Sequence, residues 1–326
     1  MKIDFAKIDF ASCALSLSFP APECATIDFS KGKMPLVKRE AETKPKTISR
    51  RRLLRDGLCA IGTLVAGGKW ATAVEPHWDE IERREMPLPR LEKAFDGYRI
   101  AQLSDIHMGD GMSRKRLDGI VQTTNALGAD LIVITGDFVS GNGPRWAGDL
   151  TGALSKLQAR DGVLAVLGNH DIWANARVIR RALRDAGIRE LPNEVHILRR
   201  GHAQTFIVGA DDPWCGKANV APIARTLPKE GAAILLAHEP DFADEFSKLG
   251  RFDLQLSGHS HGGQVCAPFF GPIRLPAYGQ KYPRGQYQVG DMILYTNRGV
   301  GASGIPVRFN CRPEISLFTL RATKAK

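Results

Sequence analysis

Five short runs bring together side chains that can bind a metal or move a proton. Asp105 and His107 are two positions apart, Gly136 precedes Asp137, and Gly168-Asn169-His170-Asp171 is continuous. His238 stands alone, and Gly258-His259-Ser260-His261 closes the series. Five of the eight histidines fall in these runs. Carboxylate, imidazole and an Asn carbonyl suit borderline divalent ions such as Mn, Fe or Zn, and no soft thiolate is among them. An Asp-x-His or His-x-His pair points both side chains the same way where the backbone is extended. Seven ligand-type side chains (Asp105, His107, Asp137, Asn169, His238, His259 and His261) exceed what one ion needs, so two ions are the economical expectation. Asp137, beside flexible Gly136, is the natural carboxylate to bridge them. Each run alone is commonplace: a lone His is more often a satisfied polar residue, and Gly-Asp alone is a turn. The two four-residue runs are more specific, because polar clusters behind apolar strands cost desolvation without a partner. His77, His196 and His202 lie outside any run and read as surface or packing residues.

What must position these groups is a series of strands. From Tyr98 onward, short apolar runs alternate with amphipathic stretches, the pattern of an α/β or layered fold. Strands are expected at Arg99–Leu103, Leu131–Ile134, Val163–Leu167, Thr205–Val208, Ala233–Leu236, Leu254–Leu256, Met292–Tyr295 and Ile315–Leu320. Ser113 reads as the N-cap of a helix burying Leu117, Ile120, Val121, Thr124 and Leu127. Leu150, Leu154 and Leu157 mark a second helix. Arg177 to Ala186 marks a third, with Val178, Ala182 and Leu183 inward. Each polar run follows a strand, so the candidate ligands gather at strand C-terminal ends, the rim on which such sheets assemble sites.

Taken in order, the five runs resemble the motifs of the calcineurin-like metallophosphoesterases, over about residues 97–320. The flanking text is similar to the bacterial YkuE-like phosphodiesterase branch: Gln102-Leu103-Ser104-Asp105-Ile106-His107, Asn297-Arg298-Gly299 and Arg312-Pro313-Glu314. The resemblance implies an α/β layered fold, a two-sheet β-sandwich flanked by helices. It implies one metal held by Asp105, His107, Asp137 and His261, and a second by Asp137, Asn169, His238 and His259. It also implies that the two ions lower the pKa of a shared water for in-line attack at phosphorus. His170, next to Asn169 and not a ligand, would stabilise developing charge or protonate the leaving oxygen. Asp171 is expected to orient His170 through a ring nitrogen. After Asp137 the chain reads Phe138-Val139-Ser140-Gly141, where protein Ser/Thr phosphatases continue Val-Asp-Arg-Gly with a phosphate-gripping Arg. A phosphoprotein substrate is therefore disfavoured. Arg145 or Arg298 are candidate phosphate contacts, and Trp214 or Tyr282 candidate cleft walls.

The net charge of +10 invites a polyanion-binding reading. Its distribution argues otherwise: residues 1–73 carry 13 basic and 7 acidic side chains, a net of +6, and the remaining 253 residues only +4. No specific nucleic acid is expected. Residues 1–48 read as a disordered or mis-started extension, with Met34 an alternative start. Ser49-Arg50-Arg51-Arg52-Leu53-Leu54-Arg55 resembles the twin-arginine export signal, followed by an apolar run, Gly57 to Gly68, and a small-x-small site, Ala71-Thr72-Ala73. The leader is thus placed at 49–73, a linker at 74–96 and a tail at 321–326. The apolar run is too short to span a bilayer, which takes ~20 residues. The chain is expected to be exported to the periplasm or envelope by the twin-arginine machinery, or tethered to the inner membrane there. Cys215, Cys266 and Cys311 are read as buried structural thiols.

The expected activity is dinuclear metal-dependent hydrolysis of a small phosphodiester or phosphoanhydride. The narrower alternative is a lipid-linked pyrophosphate such as UDP-2,3-diacylglucosamine in lipid A synthesis. The alternative from another class is a non-catalytic metal-binding scaffold.

Overall fold

The computed structural model of the chain describes residues 50–323. The expected extension over 1–48, the Met34 start and Ser49 lie outside these residues, as do the side chains of Arg50 and of residues 52–55, 57, 59 and 60. The chain divides into Met1–Leu53 and Leu54–Lys326, and the first enters the described residues only as the opening turn of a helix. That helix, α1 (Arg50–Lys69), covers the apolar run after the arginines and leaves Leu58, Ile61, Leu64 and Val65 exposed. Among the described residues no helix is long and apolar enough to cross a membrane.

The body then runs β1 (Glu80–Leu88), β2 (Arg99–Leu103), α2 (Arg114–Ala126), β3 (Leu131–Thr135), α3 (Gly143–Leu154), β4 (Val163–Val166) and α4 (Asn169–Asp185). It continues through β5 (Arg189–Glu190), β6 (Glu194–Arg200), β7 (Ala203–Gly209), α5 (Ala221–Thr226), β8 (Ala233–Leu236) and α6 (Ala243–Ser247). The last strands are β9 (Leu254–Ser257), β10 (Cys266–Ala267), β11 (Gly271–Pro272), β12 (Gly285–Val289), β13 (Met292–Thr296) and β14 (Glu314–Ala322).

Two six-stranded sheets result, ordered β1-β14-β2-β3-β4-β5 and β12-β13-β9-β8-β7-β6. Strands β2 to β5 are parallel, as are β7, β8, β9 and β13. Their inner faces meet in one core, Ile100, Val133 and Val166 against Ile207, Ile234 and Leu256. Strands buried on both faces read as continuous apolar runs, and for that reason the central ones were foreseeable. Helices α2, α3 and α4 cover the first sheet through Leu117, Ile120, Leu150, Leu154, Ile179 and Leu183. Helices α5 and α6 cover the second through Ala224 and Phe246. The fold is therefore the expected α/β sandwich flanked by helices.

Local details follow the expected chemistry with some differences. Ser113 caps α2, its hydroxyl accepting from Arg116 N–H at 3.2 Å, and Leu117, Ile120, Val121 and Thr124 are buried. Helix α4 begins at Asn169 rather than near 177, with a non-helical break at Asn175. Past that break Ile179, not Val178, faces the core, while Ala182 and Leu183 are buried as expected. Residues 74–96, read as a linker, contain β1, which pairs with β14 in parallel from Glu80↔Glu314 to Leu88↔Ala322. Cys266 and Cys311 are buried thiols, whereas Cys215 is half-buried.

Candidate metal centre

Five parallel strands deliver the candidate ligands. Loops after β2 and β3 carry Asp105, His107 and Asp137, the start of α4 behind β4 carries Asn169, and the segments after β8 and β9 carry His238 and His259 to His261. Because the two sheets pack face to face, these rims meet. The i, i+2 pairs do not converge through an extended backbone. Asp105, His107, Asp137, His259 and His261 all take positive φ, between 49° and 72°. Left-handed backbone costs a non-Gly residue roughly 1–2 kcal/mol, so the strands' packing holds these turns against local preference.

Two groups of convergent ligand atoms result, Asp105 with His107 and His261, and Asp137 with His238 and His259; within each, the atoms lie within 4.8 Å of one another. All six residues are buried. His107 Nε2 and His261 Nε2 face each other at 3.0 Å, with Asp105 Oδ1 3.4 Å from His261 Nε2. Asp137 Oδ2 lies 3.1 Å from His238 Nε2 and 3.4 Å from His107 Nε2, so it touches both groups. Its other oxygen accepts from His170 N–H at 3.0 Å, in the first turn of α4. Asn169 is buried there too, its Oδ1 without a hydrogen-bond partner.

The ring tautomers fit the residues for a metal. His238 Nδ1 lies 2.6 Å from Thr135 O, and His259 Nε2 lies 2.7 Å from Ala277 O. A carbonyl only accepts, so each of these nitrogens carries a proton; the opposite nitrogen of neutral His259 presents its lone pair, and that of His238 does so once its second proton leaves. His259 Nδ1 and His261 Nδ1 are buried without hydrogen-bond partners, and His238 Nε2 faces Asp137 Oδ2 at 3.1 Å. Metal-binding imidazoles are characteristically oriented this way by a carbonyl on the far nitrogen. His107 Nδ1 is held by Ser140 Oγ at 2.7 Å. This role for Ser140 was not legible in the sequence.

Burial and mutual charge set the electrostatics. Burial pushes His107 down to about 4 and His259 down to about 3, and with help from His107 it holds His261 well below its usual value. These three imidazoles are neutral and able to ligate near pH 7. Burial opposes charge on Asp137 and His238 as well, yet their mutual attraction outweighs it, lowering the carboxyl and raising the imidazole. Burial, with the nearby Asp137, pushes Asp105 up to about 6. Metal binding must displace the His238 proton.

Backbone room is tight around Asp105. Both its oxygens accept from His259 N–H at 3.0 Å, and a Cβ at Gly258 would fall 2.3 Å from Oδ2 and 1.9 Å from Ser104 Oγ. A Cβ at Gly301 would fall 2.2 Å from Ile106 O. The Gly299–Gly301 loop is fixed from behind by Arg308, fully buried, which donates to the carbonyls of Arg298, Gly299 and Gly301. Arg298, expected as a phosphate contact, is committed elsewhere, to Glu314 at 2.6 Å and Glu80 at 3.0 Å. Arg145 is exposed and stacks over Trp146.

A cavity of about 730 Å³ opens onto Asp137, Asn169, His170, His259 and His261. Its aromatic wall contains the expected Trp214, together with Trp173; Trp214 packs 5.5 Å from the His259 ring and Trp173 5.2 Å from the His170 ring. Tyr282 is not on this wall; its hydroxyl bonds Asp244 at 2.8 Å. Arg274 is the Lys or Arg side chain that lines the cavity. No signal in the sequence singled it out. His77 and His202 are exposed and His196 is half-buried, away from the site.

Asp171 differs from its expectation. Its carboxylate accepts from Phe138 N–H (2.8 Å), Val139 N–H (3.3 Å) and Gly168 N–H (3.0 Å), tying the Asp137 loop to the start of α4. These bonds occupy it with backbone rather than with the His170 ring. Asp171→Ala leaves up to three buried N–H groups unpaired, at about 1–3 kcal/mol each. Thermal denaturation should show a stability loss on the order of 4 kcal/mol, with Asp171→Asn intermediate. Unchanged stability with lost turnover would return Asp171 to the orienting role.

Comparison with known proteins agrees with this geometry. Residues 98–263 match the family described as calcineurin-like phosphoesterase. The chain is similar to the uncharacterized metallophosphoesterase YkuE of Bacillus subtilis, 35% identical over 85% of this chain and 99% of the relative. It is 30% identical to phosphodiesterase YaeI of Escherichia coli, over 84% of this chain and 99% of the relative. A Danio rerio transmembrane protein with metallophosphoesterase domain is 30% identical over 73% of this chain and 56% of that protein. The family match, two relatives covered almost end to end and two buried ligand groups that fit a dinuclear divalent centre place the chain in the calcineurin-like metallophosphoesterase family of phosphoester hydrolases.

Proposed function

We propose that the chain is a dinuclear metal-dependent phosphodiesterase acting on a small phosphodiester or phosphoanhydride. The observation that carries this reading is the pair of imidazoles, His238 and His259, whose far nitrogens are fixed by carbonyls and whose near nitrogens converge with Asp137. Asp105, His107, Asp137 and His261 would hold one ion, and Asp137, Asn169, His238 and His259 the other. Two divalent ions held there supply Lewis acidity toward the phosphoryl oxygens and a water nucleophile. His170, which lines the cavity next to Asn169, would protonate the leaving oxygen. Arg274 offers the cavity a fixed positive charge for a phosphate oxygen.

The test is chelation of the purified full chain and reloading with Mn, Fe(II) or Zn. Stripped protein should lose turnover of bis(4-nitrophenyl) phosphate by on the order of 10³-fold, and two equivalents of one metal should restore it. Failure of every metal to restore turnover would favour the non-catalytic scaffold. A second reading, hydrolysis of a lipid-linked pyrophosphate such as UDP-2,3-diacylglucosamine, is supported by the apolar part of the cavity wall, Val265, Leu275, Ile305 and Val307. Higher turnover on detergent-dispersed lipid substrate than on the soluble diester would select it.

We also infer twin-arginine export with retention of the leader as a tether. The pattern Ser49 to Arg55 supports the route. The Ala71–Ala73 segment is built into the domain: Ala71 is buried and its carbonyl accepts from Arg308 N–H at 2.9 Å. Two positions beyond the cut, buried Glu75 accepts from Cys311 N–H at 2.6 Å. Although Ala73 and Val74 are exposed, the cut falls in a helical turn, Trp70–Val74, anchored on both sides by these bonds rather than extended as a peptidase requires. Intact mass of the envelope-localised protein should include α1; a mature N-terminus at Val74 would overturn retention.

A further inference from the structure

The hairpin β10–β11 projects two fully solvated aromatic rings. Phe269 is 105% exposed and Phe270 90%, with Ile273 just beyond the hairpin and Ile305 on the neighbouring loop each 71% exposed. Phe269 also holds a left-handed backbone, φ 68°, where a turn ordinarily carries Gly or Asn. Large exposed apolar side chains gathered in one place mark a surface made to be covered. Ile273 and Ile305 are also walls of the metal-site cavity, so this apolar surface is the rim of the cavity mouth.

Two further observations identify what covers it. The chain has no Asp or Glu between Asp253 and Asp291, nor between Asp291 and Glu314, the stretches that contain the hairpin and the Ile305 loop. Exposed Arg274 and Arg284 flank the hairpin, and the nearby carboxylate of Asp110 is turned onto Gly304 N–H at 2.8 Å. The carboxylates that line a cavity with hairpin Pro268, Glu75 and Glu80, are bonded to Cys311 N–H and to Arg298. The surface is thus apolar at its tip with Arg274 and Arg284 charge, unpaired among the described residues, beside it, which complements an anionic interface. The other exposed apolar element also lies on this side. Trp70, at the end of α1, and Pro268, in the hairpin, line one cavity of about 460 Å³, so the helix with exposed Leu58, Ile61 and Leu64 leads into the same face.

We propose that the β10–β11 hairpin, with Ile273 and Ile305, docks the catalytic domain onto an anionic lipid bilayer and opens the metal-site cavity at the lipid surface. Docking stands without the phosphodiesterase reading; that an amphiphilic phosphoester enters the cavity from the bilayer rests on it. The Phe269 and Phe270 rings enter the acyl boundary, Arg284 meets lipid phosphates while Arg274 stays at the cavity mouth, and the α1 tether keeps the domain near the surface between encounters.

The test is co-sedimentation of the full chain with vesicles of phosphatidylcholine alone or mixed with phosphatidylglycerol. Wild type should partition onto the mixed vesicles, and the double variant Phe269→Ser with Phe270→Ser should lose at least about tenfold in partitioning. Turnover of soluble bis(4-nitrophenyl) phosphate should be the same in both, since neither ring lines the cavity. A double variant that sediments like wild type would overturn the proposal, assigning any binding to α1. Equal partitioning onto both vesicle types would overturn the anionic assignment. A concentration-dependent dimer that the double variant loses would give the face to a second copy instead. Wild type that binds vesicles but turns over no phosphoester would count against the proposed function and leave docking intact.

Discussion

Asp137→Asn should lower phosphodiester turnover by on the order of 10³-fold and leave the purified protein short of metal. The substitution preserves the shape of a side chain packed among the loops after β3, β4 and β8, so the fold should survive. What it removes is the negative charge that lies 3.1 Å from His238 Nε2 and 3.4 Å from His107 Nε2. The other carboxylate of the two groups, Asp105, comes only within 4.0 Å of the second group, at His238 Nε2. The amide also puts an N–H₂ where a lone pair is needed, and two buried imidazole nitrogens then face a donor. Even an indirect perturbation of a ligand typically costs 10–100-fold in metal affinity, and this one is direct. Elemental analysis beside steady-state kinetics decides the matter. A variant with two ions per chain and near-normal turnover would remove Asp137 from the centre of the assignment.

His170→Ala should behave differently, losing about 10²–10⁴-fold in turnover with metal content unchanged. Its hydrogen bond to the site runs through the backbone, from His170 N–H to Asp137 Oδ1, and alanine keeps that bond. Its ring belongs to neither convergent ligand group; it stands edge-on to His107 at 4.9 Å and lines the cavity. If the imidazole protonates the leaving oxygen, the loss depends on what leaves. A nitrophenolate departs with little help, whereas an alkoxide does not, so the deficit should widen with leaving-group pKa. A deficit independent of the leaving group would make His170 an electrostatic stabiliser rather than an acid. An unchanged rate on every substrate would remove it from the mechanism.

The parts of this site that could be read in the sequence share one property: each lies directly behind a strand buried on both faces. Ala233–Leu236 and Leu254–Ser257 are apolar enough to be recognised without periodicity, so the polar residues that follow, His238 and His259, stand out. Of the strands that went unread, β1, β5, β6 and β12 are the edges of the two large sheets, and β10 and β11 form a separate two-stranded hairpin. An edge strand buries less, and Glu80–Leu88 spells that out by exposing or half-exposing most of its residues. Side chains that act at one remove were hidden for another reason. Ser140 and Arg308 are ordinary residues in loops, and only folding brings Ser140 to His107 and Arg308 beneath the Gly299–Gly301 turn. Asp171 was visible as a member of its run, yet its neighbours were not. Adjacency in sequence suggested His170, whereas the helix start turns the carboxylate toward Phe138 and Gly168.

The pairing of β1 with β14 joins nearly the two ends of the described chain. During synthesis at roughly 5–20 residues per second, β1 waits about 10–50 s for its partner to be made. The strand that pairs with β14 on its other side, β2, opens the loop bearing Asp105 and His107, so the first ligand pair is among the last parts to be locked. Metal capture is thereby a post-translational event, and the apolar helix ahead of β1 is on display before the enzyme is complete. Removing residues from 314 onward should leave β1 and β2 without their shared partner, a lesion readable as protease sensitivity at the N-terminal end of the domain.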